Sequence, residues 1–256
     1  MDRLPGWVTL LRAPNPGPMT LDGTNTWVLR APGSADAVVI DPGPLDDGHL
    51  RRIAEHAPVS AILITHGHHD HVEGAARLSE LLGGAPVRAA DPQHCVHAEP
   101  LTPGILRLAG LEIEVLPTPG HTADSLCFVT DEAVFSGDSI LGRGTTVVAW
   151  PDGDLGAYLQ SLETLTAYPR RLLPGHGPVR ADCAEIAGEY LIHRRQRLDQ
   201  VRAAIAAGAD TPESIVDAVY PDIDPAVRFA AEWSTRAQLE YLRRESHAMV
   251  QRLDPL

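Results

Sequence analysis

The sequence predicts an α/β protein in which residues 1–180 alternate short strands with helices and residues 181–256 form a small, mostly helical module. Three observations predict it. Short apolar runs bounded by Gly, Pro, Asn and Asp recur up to residue 173. Stretches of helical periodicity stand between them. From Ala181 onward the strand signals stop and three helical stretches follow.

Taken in order, Val8–Arg12 and 24–30 read as strands on either side of the turn-rich Pro14-Asn15-Pro16-Gly17-Pro18, and a strand at 37–41 ends at Pro42-Gly43. A helix is expected over 49–56, with Asp46 or Asp47 near its start. Residues 61–65 form a buried strand that stops where Thr65-His66-Gly67-His68-His69-Asp70-His71 begins, and 73–82 reads as a helix ended by Gly83-Gly84. Strands follow at 87–90, 105–108, 111–116, 126–130 and 133–135. The pair 105–108 and 111–116 turns at Ala109-Gly110, and the last pair turns at Asp131-Glu132. A helix over 155–167 and a strand over 171–173 lead to Pro174-Gly175-His176-Gly177-Pro178. The late helices span 181–207, 212–219, opened by the cap-like Thr211-Pro212, and 225–245.

Composition narrows the function classes. The 44% hydrophobic and 21% charged residues belong to a globular protein, not a disordered one. All 21 basic residues are arginine, which excludes a P-loop lysine, a Schiff-base lysine and a lysine general base. A net charge of −13 leaves no broad basic surface for nucleic acid. The N-terminus carries charges and a proline where a signal peptide needs an apolar core, and no apolar run approaches the ~18 residues of a membrane span. A cytoplasmic protein without membrane partners is expected. Cys95, Cys127 and Cys183 stand far apart with no C-x-x-C pair, so they are expected to be reduced apolar residues rather than disulfides or a zinc ribbon.

The chemistry concentrates in His66-x-His68-x-Asp70-His71, four metal-capable side chains within six residues. If the chain leaves the strand extended, His66 and His68 project to one side and share an ion. If it then turns into a helix, Asp70 and His71 are re-aimed toward a second ion. His69, between the ligands, is expected to face away. Imidazole and carboxylate without thiolate suit Zn²⁺, and also Mn²⁺ or Fe²⁺. Further along, Pro117-Thr118-Pro119-Gly120-His121-Thr122, Phe135-Ser136-Gly137-Asp138 and Pro174-Gly175-His176-Gly177 each present one candidate ligand on a turn just after a strand.

In this order the motifs resemble those of the metallo-β-lactamase-fold hydrolases. The resemblance implies a four-layer αββα sandwich as the catalytic domain, 1–180. It puts His66, His68 and His121 on one ion and Asp70, His71 and His176 on the other, with Asp138 bridging them. Val39-Ile40-Asp41-Pro42-Gly43 is similar to the family's early strand-end motif, in which the aspartate, here Asp41, supports the ligands from behind. Gly23-Thr24-Asn25-Thr26, the stretch from Phe135 through Asp138 and Gly142 to Thr146, and Glu189-Tyr190-Leu191-Ile192-His193-Arg194 resemble the branch that contains beta-lactamase-like protein 2, with endoribonuclease and thioesterase members. That branch implies a winged-helix-like C-terminal module.

The expected activity is hydrolysis of an ester-like bond, thioester or phosphodiester, by a hydroxide shared between two divalent ions ~3.5–4 Å apart. Asp70 and Asp138 stay ionised as ligands, and either takes up a proton during the reaction. Arg143, Thr145 and Thr146, just past Asp138, are candidate substrate contacts; His193 and Arg194 are candidates from the C-terminal module. The substrate is expected to be a small acyl compound or single-stranded RNA. The module's 9 Arg against 13 Asp and Glu, a net of −4, give RNA no support. The alternatives are a single-strand-specific endoribonuclease, a mononuclear iron dioxygenase on the same scaffold, and a non-catalytic binding protein. A true β-lactamase ranks below these because such enzymes are exported.

Overall fold

The structure, a computed structural model, describes residues 4–253. Ten strands form two five-stranded sheets. The first has the order β1-β2-β3-β4-β5: β1 Val8–Arg12, β2 Asn25–Leu29, β3 Ala37–Ile40, β4 Val59–Leu63 and β5 Val87–Arg88. The second has the order β10-β9-β8-β7-β6: β6 Gly104–Leu108, β7 Leu111–Pro117, β8 Leu126–Val129, β9 Ala133–Gly137 and β10 Arg171–Pro174. Both are mixed. β3, β4 and β5 run parallel, as do β9 and β10, while the remaining pairs are antiparallel.

Strand alternation assigns the layers. Val38 and Ile40 of β3 pack with Phe128, Ala133 and Phe135 of the other sheet, whereas Ala37 and Val39 pack with Leu50, Ile53 and Leu78. Leu50 and Ile53 lie on α1, Asp47–Ala54, and Leu78 on α3, Ala75–Leu81. In β8, Phe128 faces the first sheet, while Cys127 and Val129 face α4, Leu155–Leu165, and α5, Cys183–Ala206. The order is therefore helices, sheet, sheet, helices. Trp27 and Phe135, with ring centroids 6.0 Å apart and edge to face, fill the seam between the sheets.

Local signals set the helix starts. Asp46 caps α1 by accepting from the His49 N–H at 2.7 Å, Asp154 caps α4, and Asp182 caps α5. Thr211 and Ser214 form a capping box that opens α6, Pro212–Val219. All three cysteines are free thiols, and Cys127 and Cys183 belong to one apolar cluster.

Beyond small shifts of element ends, and a last helix that runs on to Leu253, the structure departs from expectation as follows. The helix expected over 73–82 is α3, Ala75–Leu81, and a separate short helix not expected there, α2 His69–Val72, precedes it; the two are parted at Gly74, whose N–H donates to Gly43 O at 2.9 Å. The expected strand 61–65 begins at Val59 and ends at Leu63, because the Thr65 N–H leaves the ladder for Asp41. Beyond β10, the described residues contain α5, α6 and α7 Arg228–Leu253 but no strand, so the wing of a winged helix is missing. The segment between α6 and α7 is short and holds Pro221 and Pro225, which lack the N–H a hairpin ladder needs. These helices also share one core with α4 and the second sheet, through Ile186, Tyr190, Leu198 and Ala237. Among the described residues no helix is long and apolar enough to cross a membrane.

Candidate metal centre

Every expected ligand stands just past the C-terminal end of a strand, and the topology brings those ends together. In the first sheet β3 and β4 are parallel, so Asp41 and the run from His66 leave on the same side. In the second sheet β7 and β9 are each antiparallel to β8, and β9 is parallel to β10. His121, Asp138 and His176 therefore also leave from one side. The expected re-aiming of the run is achieved by α2: His68 is its N-cap with φ −67° and ψ 142°, after which Asp70 and His71 lie on a helical turn.

Two groups of donor atoms result, joined by a third, His66, His71 and Asp138, that overlaps both. In the first, His66 Nε2 and His121 Nε2 each lie 3.0 Å from His68 Nδ1. In the second, His176 Nε2 lies 3.1 Å from His71 Nε2 and 3.0 Å from Asp70 Oδ2. Asp138 lies between them, with Oδ1 3.5 Å from His71 Nε2 and Oδ2 3.5 Å from His176 Nε2 and 3.8 Å from His121 Nε2. His69 is exposed and outside both groups.

The far side of each imidazole fixes its tautomer. The His121 Nδ1–H donates to Val147 O at 2.7 Å and the His71 Nδ1–H to Asp41 Oδ2 at 2.8 Å. Asp41 also takes the Thr65 hydroxyl at 2.7 Å, which leaves the Thr65 oxygen to accept from the His66 Nδ1–H at 3.0 Å. The His176 Nδ1–H points at Gly23 O, 3.4 Å away. With these protons turned outward, the inner nitrogens face one another, an arrangement that requires positive charge between them, as an ion or as a further proton. Asp138 Oδ1 is buried without a hydrogen-bond partner. The residues fit divalent cations.

The electrostatics agree. Burial pulls His71 down, but Asp70, Asp138 and Asp41 outweigh it and raise the imidazole to about 10. His176 is raised for the same reason, against burial, by Asp138 and Asp70. Burial pushes Asp70 up, yet His71 and His176 hold its carboxyl well below the usual carboxylate range. His66, buried among four other imidazoles, is held well below its ordinary value by burial first and by those neighbours second. His121 is lowered by burial, which Asp138 only partly offsets.

The other expected residues divide. Asp41 stands behind both groups. Arg143 is exposed and makes a two-pronged ion pair with Asp22, at 2.7 and 2.9 Å, and Thr145 is exposed beside it. Thr146 is buried and donates to Asp138 O at 2.8 Å, so its hydroxyl is engaged with the backbone. Arg194 is likewise engaged with the backbone. It is 5% exposed, stacks over the Tyr158 ring and donates through Nη2 to Thr146 O. His193 is half-buried on α5, with its imidazole lowered by burial and by Arg194 and Arg197.

Sequence reasoning gives no role to Thr24 or Asn25. The Asn25 Nδ2–H₂ donates to Pro174 O at 3.0 Å and to Gly177 O at 2.9 Å, bracing the His176 turn, and the Thr24 hydroxyl donates to Asp70 Oδ2 at 3.4 Å. Their signal is a polar triplet opening a strand, which a two-period hydrophobic pattern does not read.

Residues 19–94 match the model of the metallo-beta-lactamase superfamily. The chain is 33% identical over 248 residues to the beta-lactamase-like protein 2 homolog of Caenorhabditis elegans, covering 90% of this chain and 82% of that one. It is 31% identical to the atrochrysone carboxyl ACP thioesterase of Aspergillus fumigatus, covering 86% and 76%. Among solved structures, a metallo-beta-lactamase family protein from Thermus thermophilus superposes with a TM-score of 0.77 at 24% identity, covering 94% of each chain.

Proposed function

The chain belongs to the metallo-beta-lactamase superfamily as a metallo-hydrolase, and on that premise we propose that it is a two-metal thioesterase, cleaving an acyl thioester to a carboxylate and a thiol. The single observation behind the reading is Asp138, whose buried Oδ1 has no hydrogen-bond partner, set between two groups of facing imidazole nitrogens. His66, His68 and His121 would hold one ion, Asp70, His71 and His176 the other, and Asp138 both. Bound there, divalent ions supply Lewis-acid polarisation and a water acidified to near-neutral pH.

The chain's own residues do the rest. Outward hydrogen bonds to Val147, Asp41, Thr65 and Gly23 orient the rings so that their inner nitrogens face the ion positions. Asp138 and Asp70 are the carboxylates positioned to take up the proton released from water. A thiol, with an ordinary pKa of about 8.5, leaves as its anion without a strong general acid. The thioester reading draws on the relative named a thioesterase. It also draws on the arginines of α5, which are already engaged: Arg195 pairs with Glu163, Arg202 with Asp199 and Glu245, and Arg197 stacks on Tyr220. That leaves little of the basic stripe free to follow an RNA backbone.

One panel tests this: metal content, then turnover of an acyl thioester, a generic phosphodiester and single-stranded RNA, with Asp70→Ala beside the parent. Two divalent ions per chain and thioester turnover lost in Asp70→Ala are expected. Turnover of RNA alone would replace the thioesterase reading. One iron per chain with oxygen uptake, or an Asp70→Ala variant as active as the parent, would end the hydrolase mechanism.

A further inference from the structure

We propose that Arg194 and Tyr190 of α5, with Tyr158 of α4, are positioning residues that set the backbone of Asp138, so that the metal centre is shaped by the C-terminal helices. The proposal rests on the two-ion reading of the site. After β9 the chain belongs to no strand until α4; the Gly142 N–H donates to His176 O at 2.9 Å, and side chains from these helices hold the rest of its course. Ser139 O accepts from the Tyr158 hydroxyl at 2.7 Å. The Tyr190 oxygen accepts from the Leu141 N–H at 3.2 Å and donates to Gly144 O at 2.9 Å. Arg194, one turn after Tyr190 on the same face of α5, donates to Thr146 O, and the Thr146 hydroxyl closes the loop on Asp138 O. The next residue, Val147, gives its carbonyl to His121.

A single loop thus orients a ligand of both groups and one ligand of the first. Its clamp consists of three buried polar side chains. Burying a guanidinium is costly unless it is bound, so a position serving only to pack α5 would be better filled by an apolar residue. Here the charge is directed at a backbone carbonyl eight residues from Asp138.

The test uses the full chain, stripped of metal and titrated with Zn²⁺ against a chromophoric chelator, together with amide hydrogen exchange of the metal-free protein. The variants are Arg194→Met and Tyr190→Phe. Arg195→Met, at the neighbouring exposed arginine, is the control. Binding of the second equivalent should weaken roughly 10- to 100-fold in both variants, the usual effect of removing a group that orients a metal ligand. Exchange at 138–147 should quicken at least about tenfold while the two sheets keep their protection. Tyr190→Phe removes one oxygen and keeps the ring, so it decides the matter should Arg194→Met fold poorly. Two tight equivalents and unchanged exchange at 138–147 in Tyr190→Phe would overturn the clamp. A parent chain that binds no Zn²⁺ would instead refute the two-ion reading, with the exchange arm still judging the clamp.

Discussion

Asp41 and His71 are joined at 2.8 Å through the same carboxylate oxygen that accepts the Thr65 hydroxyl at 2.7 Å. Because that hydroxyl in turn supports His66, one carboxylate steadies a ligand in each donor group. Asp41 holds this position with φ 51°, in the left-handed region that aspartate tolerates better than most residues.

Replacing Asp41 with Asn keeps the shape and removes the charge. The amide cannot accept from Thr65 N–H, the Thr65 hydroxyl and His71 at once without turning a donor toward one of them. Metal affinity is expected to fall roughly 10- to 100-fold, read by chelator competition. Affinity within twofold of the parent would contradict the bracing role.

Gly175 precedes His176 where the backbone passes under the Asp138 carboxylate. A Cβ there would lie 2.6 Å from Asp138 Oδ1 and 2.7 Å from His71 Cε1, so both side chains would have to move. Gly175→Ala is expected to weaken metal binding at least about tenfold, since a displaced ligand pair cannot close on an ion. Isothermal titration with Zn²⁺ checks this, and a parent-like isotherm would count against it.

His49, 1% exposed, accepts from Arg52 at 3.0 Å and donates to Thr26 Oγ1 at 2.9 Å. Burial first, then the Arg52 charge, lower its imidazole to about 4, against smaller upward pulls from Asp46 and the Pro42 carbonyl. Folded His49 therefore stays neutral while the unfolded chain, near 6.5, takes up a proton. Stability is full above pH 6.5 and declines as pH falls toward 4, by up to roughly 3 kcal/mol. Urea unfolding of the metal-free chain and of His49→Gln at pH 7 and pH 4.5 should show the parent's advantage shrinking. An advantage equal at both pH values would refute the linkage.

Phe135 sits at the seam between the sheets, fully buried, with Trp27 at 6.0 Å and Trp7 at 6.5 Å. Phe135→Ala should cost about 3–5 kcal/mol through lost burial and the cavity left behind. A drop in stability below about 1 kcal/mol by denaturant unfolding would mean that the sheets collapse onto the gap.

Most of the centre is legible in the sequence because its chemistry is written in residue types that rarely occur together by chance. His66, His68, Asp70 and His71 sit close in sequence, and His121, Asp138 and His176 announce themselves by glycine turns after apolar runs. The fold class is readable from strand lengths and turn residues. The separate turn of helix at His69–Val72 is not, since four residues carry no periodicity of their own and only the contact of Gly74 with Gly43 parts it from α3. The missing wing is hidden because the number of helices alone does not distinguish a winged helix from a helical cap. Thr146 and Arg194 read as substrate contacts because polar residues near a site look alike in sequence whether they face the ligand or the backbone. Burial separates the two, and burial belongs to the folded chain.

The donor atoms come from both sheets: His66 to His71 follow β4, while His121, Asp138 and His176 follow β7, β9 and β10. Neither sheet alone holds a complete group with Asp138, so ions captured here would rivet one sheet to the other. A nascent chain would complete the first group at His121 and the second only after residue 176 has emerged, each across the two sheets. Metal uptake during refolding would then report the joining of the two halves, and a chelator would slow or reverse that joining before it touched either sheet.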